Sequence, residues 1–272
     1  MSTVVSADGT RIAYEVTGDG PPLVIVDGAM CYRDSGPSRP LAAELAADFT
    51  VFAYDRRGRG DSPSERSSRS DHSDVESPAR EIEDVEALVK EAGGTAYVFG
   101  ASSGAVLALE AADKGVGATR LAMYEPPLIV DGTHAPAPEA ALADMRRLVA
   151  EDRRGDAVAA FMRSVDVPGA IVAMMKLFPV WKKLKGVAHT LPNDLVLLEG
   201  LRQGRPLPPD RWTTTTMPTL VADGGRSPEY MRNGAAALAV VLPNATHRTI
   251  PGQTHIVKAK ALAPVLRDFF LG

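Results

Sequence analysis

The feature of this sequence that most restricts its fold is a series of short apolar runs separated by helical patterns. Runs that are apolar at consecutive positions fit strands with both faces buried, which occur where helices cover both sides of a parallel sheet. The alternation therefore predicts an α/β fold with a mostly parallel, doubly wound sheet. The predicted strands of this sheet are residues 22–26, 50–54, 96–99, 121–124, 219–222 and 247–250.

Other local signals complete the predicted core. The β-type stretches at residues 3–6 and 11–16 are joined by Asp8-Gly9, which is a strong hairpin signal. Ser77 and Pro78 are typical of the start of a helix, and Gly93-Gly94 is typical of its end. The helices predicted between the strands are residues 39–48, 78–91 and 104–114.

Residues 126–217 interrupt this rhythm, because they carry helical patterns without a clear strand. We predict that they form a helical cap over the carboxyl edge of the sheet, inserted into a core made of residues 1–125 and 218–272. The polar residues 61–77 are predicted to be a solvated loop. Within the cap, the predicted helices are residues 138–151, 156–165, 171–185 and 193–203.

Composition excludes several classes of protein. With 45% hydrophobic residues among 272, the chain is too apolar to be intrinsically disordered. A net charge of −4 without a dense basic block argues against nucleic-acid and anionic-membrane partners. A lone cysteine, Cys31, excludes an intrachain disulfide and a cysteine-based zinc site. Because residues 1–8 lack a signal-peptide pattern and the longest apolar run, residues 235–242, is short, we expect a cytoplasmic protein.

The clearest chemical motif is the G-x-S-x-G sequence at residues 100–104, which lies between a predicted strand and a predicted helix. A sharp strand-to-helix turn exposes the serine hydroxyl, and side chains in place of Gly100 and Gly104 would collide across it. The helix N-terminus adds a positive dipole where an oxyanion would form. Ser102 is therefore a candidate nucleophile; the alternative is a glycine- and serine-rich turn without chemistry.

With this elbow, the whole chain resembles the α/β-hydrolase superfamily with a helical cap. Residues 55–62, D-R-R-G-R-G-D-S, are similar to the D-x-R-G-x-G-x-S turn of that family, and we expect them to form a solvated structural turn. Residues 251–255, P-G-Q-T-H, resemble the segment that carries the family's histidine. The resemblance implies that His255 is the general base for Ser102; otherwise it is a surface histidine. The histidines that fit this role less well are His72, His134, His189 and His247.

The acid that orients the histidine is less clearly marked. Members of the family usually carry an aspartate shortly after the penultimate strand, but Ser227 stands there in this chain. Glu125 follows the predicted strand 121–124, where one branch of the family places its acid, and it is our preferred candidate. Asp223 is the second candidate, and a water molecule or Ser227 is the third. The alternative for Glu125 is a solvated charge at a strand end.

The resemblance also implies an oxyanion hole made by the backbone N–H groups of Ala29 and Ser103. Asp27 stands where the family usually has histidine, and we expect its carboxylate to make a loop-ordering hydrogen bond rather than to act in catalysis. Met30 and Cys31 are candidates to line the pocket. Cys31 is a poor candidate nucleophile, because no histidine accompanies it in the motif order.

These features together predict a serine hydrolase of the carboxylic ester class. It would cleave a small apolar ester, lactone or thioester through an acyl-enzyme intermediate, with no cofactor, no metal ion and only a small molecule as partner. Ser102, in place of an aspartate, disfavours the family's haloalkane dehalogenase and epoxide hydrolase chemistries. The alternatives are a cofactor-free lyase, cyclase or C–C hydrolase, and a non-enzymatic small-molecule receptor. The sequence leaves the oligomeric state open, a homodimer included.

Overall fold

The computed structural model describes residues 2–63 and 77–272. Its centre is an eight-stranded sheet with the order β1-β2-β4-β3-β5-β6-β7-β8. β1 pairs antiparallel with β2 and β2 antiparallel with β4, whereas the other neighbours are parallel. The predicted mostly parallel sheet is therefore confirmed. The strands are β1 (Ser2–Val5), β2 (Arg11–Thr17), β3 (Pro22–Val26), β4 (Thr50–Tyr54), β5 (Ala96–Ala101), β6 (Ala118–Tyr124), β7 (Thr219–Gly224) and β8 (Ala245–Ile250).

Helices cover both faces of this sheet, as the consecutive apolar positions require. On one face α2 and α3 pack with α9, for example through Val85, Val106 and Leu238. On the other face α1 and α10 pack together, for example through Leu45 and Leu266. These helices are α1 (Ser38–Leu45), α2 (Pro78–Glu91), α3 (Ser103–Asp113), α9 (Glu229–Val241) and α10 (Ala259–Leu271).

A helical insertion lies between β6 and β7. It has its own apolar cluster, in which Leu148, Val172 and Trp181 pack with Met30 from the loop after β3. The insertion therefore lies against the carboxyl edge of the sheet, where the loops after the parallel strands begin. Its helices are α4 (Ala141–Ala150), α5 (Arg154–Ser164), α6 (Gly169–Met175), α7 (Pro179–Val187) and α8 (Leu191–Leu197).

Two helix predictions in the insertion are wrong. The predicted helix 171–185 is broken at Phe178, whose backbone is extended at φ −111° and ψ 156°. Pro179 follows it, and a proline disfavours the helical conformation of the preceding residue. The predicted helix 193–203 ends at Leu197 instead, and Gly200 beyond it has a φ of 75° in the left-handed region.

The predicted polar loop at 61–77 is described only in part, because residues 64–76, His72 included, lie outside the described residues. Among the residues that the structure describes, we find no helix with the length and apolar character of a membrane span.

Candidate active site

The elbow between β5 and α3 holds Ser102 in a strained conformation. Its φ of 56° and ψ of −129° lie outside the regions that a side chain normally allows. A Cβ atom at Gly100 would lie 2.4 Å from the Gly104 carbonyl oxygen, and one at Gly104 would lie 2.3 Å from the Val26 carbonyl oxygen. The prediction that both glycines are sterically required is therefore confirmed.

Glu125 and His255 contact each other across the edge of the sheet. Glu125 is completely buried, and its Oε2 atom lies 2.8 Å from Nδ1 of His255. Its other oxygen, Oε1, accepts a hydrogen bond of 2.7 Å from the backbone N–H of Gly224. Because an ionised carboxylate can only accept, this contact places the imidazole proton on Nδ1 and leaves Nε2 of a neutral His255 as an acceptor.

The other candidate acids contact different groups. Asp223 is buried at the end of β7, and its Oδ2 atom makes a short contact with Nε2 of His247, not with His255. The hydroxyl of Ser227 is buried and has no hydrogen-bond partner among the described residues. Of these three side chains, only Glu125 is hydrogen-bonded to His255 within the part of the chain that the structure describes.

Tyr124 connects the elbow to the loop that carries His255, a role that no sequence motif predicted. Its carbonyl oxygen accepts a hydrogen bond of 2.9 Å from the N–H of Ser102. Its hydroxyl donates one of 2.7 Å to the carbonyl oxygen of Thr254. Burial raises the pKa of this phenol well above its usual range, so the hydroxyl stays a donor. A tyrosine ending an apolar strand directly before Glu125 is the sequence signal that could have indicated this role.

Ser102 and His255 are both accessible from the solvent side. The His255 side chain is 35% exposed, and Ser102 is partly exposed. The structure has no hydrogen bond between the Ser102 hydroxyl and the His255 ring among its described residues. Hydrogen bonds between nucleophile and base are often long in unliganded enzymes and tighten when substrate is bound.

The loop after β3 lies directly against the elbow. A Cβ atom at Gly28 would lie 2.9 Å from Cβ of Ser102, so this position needs glycine. The backbone N–H groups of Ala29 and Ser103 donate to no other group among the described residues. They are therefore available to a ligand atom, as an oxyanion hole requires.

Asp27, in the same loop, is a buried carboxylate with an unusual environment. It is 2% exposed, and neither of its oxygens has a hydrogen-bond partner among the described residues. Burial raises the pKa of Asp27 to about 6, and this effect outweighs the lowering effects of the Ser38 hydroxyl and of Arg59 and Arg56. The prediction of a loop-ordering hydrogen bond is therefore wrong for the residues that the structure describes, and the Ser38 hydroxyl also lacks a partner among them.

The arginine-rich turn after β4 is buried, so the prediction of a solvated turn is also wrong. Arg56 and Arg59, both 1% exposed, each donate a 2.7 Å hydrogen bond to Asp194 of α8. Asp194 also accepts a hydrogen bond of 2.8 Å from the hydroxyl of Ser103. The turn therefore joins the helical insertion to the elbow through buried charges, which polar loop composition alone did not reveal.

Two further predictions about the site concern Cys31 and metal ions. Burial raises the pKa of the Cys31 thiol to about 12, which disfavours the thiolate that a nucleophile needs. No cluster of three or more potential metal-binding side chains is found within residues 2–63 and 77–272.

The fold and this site define an α/β hydrolase, and comparison with known proteins agrees. Residues 23–257 match the model of the alpha/beta hydrolase family. The chain therefore belongs to the alpha/beta hydrolase family.

Individual relatives are consistent with this assignment. A solved alpha/beta hydrolase from Sphaerobacter thermophilus DSM 20745 is 46% identical, with a TM-score of 0.87 over 99% of this chain and 100% of that chain. A thermophilic esterase from Thermogutta terrifontis, 22% identical, shares the fold with a TM-score of 0.68 over 99% of this chain and 97% of that one. The uncharacterized hydrolase YraK of Bacillus subtilis is 36% identical over 102 residues, which are 38% of this chain and only 35% of that protein. Together these similarities support an enzyme of the hydrolase class.

Proposed function

We propose that this protein is a serine hydrolase that cleaves a small apolar ester, lactone or thioester through an acyl-enzyme intermediate. The observation that carries the proposal is the 2.8 Å contact between Nδ1 of His255 and a buried oxygen of Glu125, on the same sheet edge as the strained Ser102. Serine, histidine and a carboxylate at the ends of neighbouring strands form the constellation used in acyl transfer on this fold.

In the proposed mechanism, Ser102 Oγ attacks the carbonyl carbon while Nε2 of His255 takes the hydroxyl proton. Glu125 keeps the imidazole in the required tautomer and stabilises the imidazolium that forms. The N–H groups of Ala29 and Ser103 bind the oxyanion of the tetrahedral intermediate. His255 then returns the proton to the leaving group. In the second half-reaction His255 removes a proton from water, which attacks the acyl-enzyme. His255 then returns this proton to Ser102 Oγ as the acid is released, so both residues regain their starting protonation states.

The first test is covalent labelling with a fluorophosphonate, followed by measurement of the intact protein mass. An activated serine displaces fluoride from the probe and keeps the phosphonyl group. We expect one adduct on the wild type and on Ser103→Ala, and none on Ser102→Ala. Ser103→Ala is a matched control, because it removes the neighbouring hydroxyl and keeps the backbone N–H that the mechanism uses.

A second measurement separates serine catalysis from the alternatives. If hydrolysis follows this mechanism, Ser102→Ala and His255→Ala each lower the turnover of an ester such as p-nitrophenyl acetate by about 10³-fold or more. Folded wild-type protein that gives no adduct and no ester turnover would overturn the proposal. Carbon-acid chemistry or ligand binding without turnover would then be the alternatives to examine.

A further inference from the structure

The corner between α6 and α7 exposes apolar side chains on the outer surface of the helical insertion. Leu177 is 83% exposed and Phe178 is 55% exposed at the point where Pro179 breaks the helical run. Single exposed apolar residues are ordinary, but a contiguous group in one short segment is typical of a binding surface. We call this group the α6–α7 surface; its apolar members are Ile171, Met174, Leu177, Phe178 and Val180.

The segment that carries this apolar group is positively charged. Residues 167–193 contain no aspartate or glutamate, although the whole chain has a net charge of −4. Lys176 lies over the Trp181 ring, 5.6 Å from its centroid, whereas the other lysines of the segment make no ion pair with any residue that the structure describes. Their charges are therefore available to an external partner. The exposed lysines of the α6–α7 surface are Lys176, Lys182, Lys183 and Lys185.

We propose that the α6–α7 surface docks on an anionic lipid surface. Exposed aliphatic and aromatic side chains with lysines in the same segment match the two layers of such a surface, acyl chains below and anionic headgroups at the boundary. The rest of the chain carries a net negative charge, so an anionic surface should attract this face in preference to the acidic ones. The net charge of the whole chain, which argued against a membrane partner, sums the lysine-rich segment and the acidic remainder. It therefore does not show the positive charge of the segment.

A second copy of the chain fits this surface less well. A two-fold interface places the same patch of each protomer against the other, so the lysines of both copies would face one another. An anionic bilayer brings the opposite charge and accommodates the irregular apolar corner without a complementary pocket.

The inner side of the same helices lies near the candidate active site. Val172 and Trp181, on α6 and α7, pack in the cluster that contains Met30, which follows Ala29 in the oxyanion loop. Docking of the α6–α7 surface would therefore bring the part of the helical insertion that packs near the oxyanion loop to the lipid surface. This docking requires no activity of Ser102, so binding and catalysis can be tested separately.

The test is flotation of the full chain with vesicles of phosphatidylcholine alone and of phosphatidylcholine with about 30 mol% phosphatidylglycerol. We expect binding to the anionic vesicles at least about tenfold tighter than to the neutral ones, lost at high salt because the lysine charges are then screened. Lys182→Gln/Lys183→Gln should weaken binding about 30-fold at low salt. Leu177→Ser/Phe178→Ser should weaken it about tenfold or more at both salt concentrations.

The matched control is Val240→Ser on α9. Val240 is 85% exposed but lies outside the α6–α7 surface, so its substitution should leave vesicle binding unchanged. All substituted side chains are exposed, and circular dichroism checks that each variant is folded. The proposal is overturned if the wild type binds neither vesicle, or if Val240→Ser weakens binding as much as the double variants. Sedimentation velocity giving a dimer that Leu177→Ser/Phe178→Ser converts to monomer would overturn it in favour of a second copy.

Discussion

Tyr124 and Thr254 are joined by a 2.7 Å hydrogen bond from the phenol hydroxyl to the carbonyl oxygen. Tyr124 directly precedes Glu125, and Thr254 directly precedes His255. The hydrogen bond between Tyr124 and Thr254 therefore fixes the loop that carries His255 against the strand that precedes Glu125. Since the N–H of Ser102 also donates to the Tyr124 carbonyl oxygen, this tyrosine positions parts of the site that lie far apart in the sequence.

Removal of the Tyr124 hydroxyl should impair turnover more than substrate binding. Tyr124→Phe keeps the buried ring but leaves the Thr254 carbonyl oxygen unpaired, so His255 loses one restraint on its position. We expect kcat to fall about tenfold with a smaller change in KM, and the free energy of unfolding to decrease by about 1 kcal/mol. The control is Tyr14→Phe, which removes a tyrosine hydroxyl bonded to Glu91, far along the chain from the site. Unchanged kcat in Tyr124→Phe would contradict this role.

The two carboxylates at the ends of β6 and β7 should differ sharply in their effect on activity. Glu125→Gln keeps the size of the side chain but removes the charge that holds Nδ1–H of His255, so kcat should fall by about 10³ to 10⁴-fold. Asp223→Asn changes the partner of His247 and should lower kcat less than about tenfold. Steady-state kinetics of the two variants decide the matter, and a larger loss in Asp223→Asn would transfer the role to that residue.

Asp27 should make the stability of the fold depend on pH. Burial raises its pKa from 3.8 to about 6, so between these values the folded chain holds a proton that the unfolded chain has released. Stability therefore decreases as pH rises from about 4 to about 6 and stays lower above that range. Asp27→Asn should remove this loss, which makes the variant more stable than the wild type by up to about 3 kcal/mol at pH 7.

Urea unfolding of the wild type and of Asp27→Asn at several pH values checks whether the free energy of unfolding changes with pH in this direction. Carboxylates far from residue 27 are common to both proteins, so their contributions cancel in the difference. The difference should be small at pH 4 and largest above pH 6. A variant that is less stable than the wild type at pH 7 would mean that the Asp27 carboxylate is stabilised by its surroundings.

Asp194 should be the most sensitive carboxylate of the helical insertion. Asp194→Asn leaves two buried guanidinium groups with less compensation, and loss of one partner of a buried pair typically costs about 3–5 kcal/mol. Asp144→Asn is the matched control, because Asp144 pairs with Arg147 at an exposed position of α4. Exposed pairs of this kind contribute about 0.5 kcal/mol or less. Equal unfolding midpoints for the two variants in chemical denaturation would argue against the buried network.

Much of the sheet could be predicted because strands with both faces buried are apolar at consecutive positions, which most of the neighbouring segments are not. Val24 and Val98, for instance, lie within runs that are apolar at consecutive positions, and both are fully buried. The boundaries within the insertion were predicted less well. The apolar spacing of residues 171–185 continues through Phe178, and only the proline that follows it indicates the break.

The candidate site was predictable where one motif carries the chemistry. Ser102 stands in a local pattern whose geometry follows from its glycines, so its strained turn could be anticipated. The preference for Glu125 as the partner of His255 rested on the resemblance to one branch of the family, because Glu125 and Asp223 both end apolar strands. The two carboxylates differ in the histidine that each one contacts, His255 for Glu125 and His247 for Asp223. These contacts depend on how the strands pair. The buried bonds of Asp194 were missed for the same reason, since Arg56 and Arg59 lie more than a hundred residues away in the sequence.

The hydrogen bonds of Asp194 also bear on how the molecule unfolds. Its carboxylate belongs to the insertion, while the arginines and the serine that contact it belong to the turn after β4 and to the start of α3. Melting either part alone would break these hydrogen bonds, so that Asp194 would lose both arginines and Arg59 would lose Asp194. The two parts are therefore thermodynamically coupled, and heating should produce one calorimetric transition rather than two. Excision of the insertion would leave Arg59 without this carboxylate, although Arg56 would keep its pair with Glu81. We therefore expect the core to be less stable without the insertion than with it.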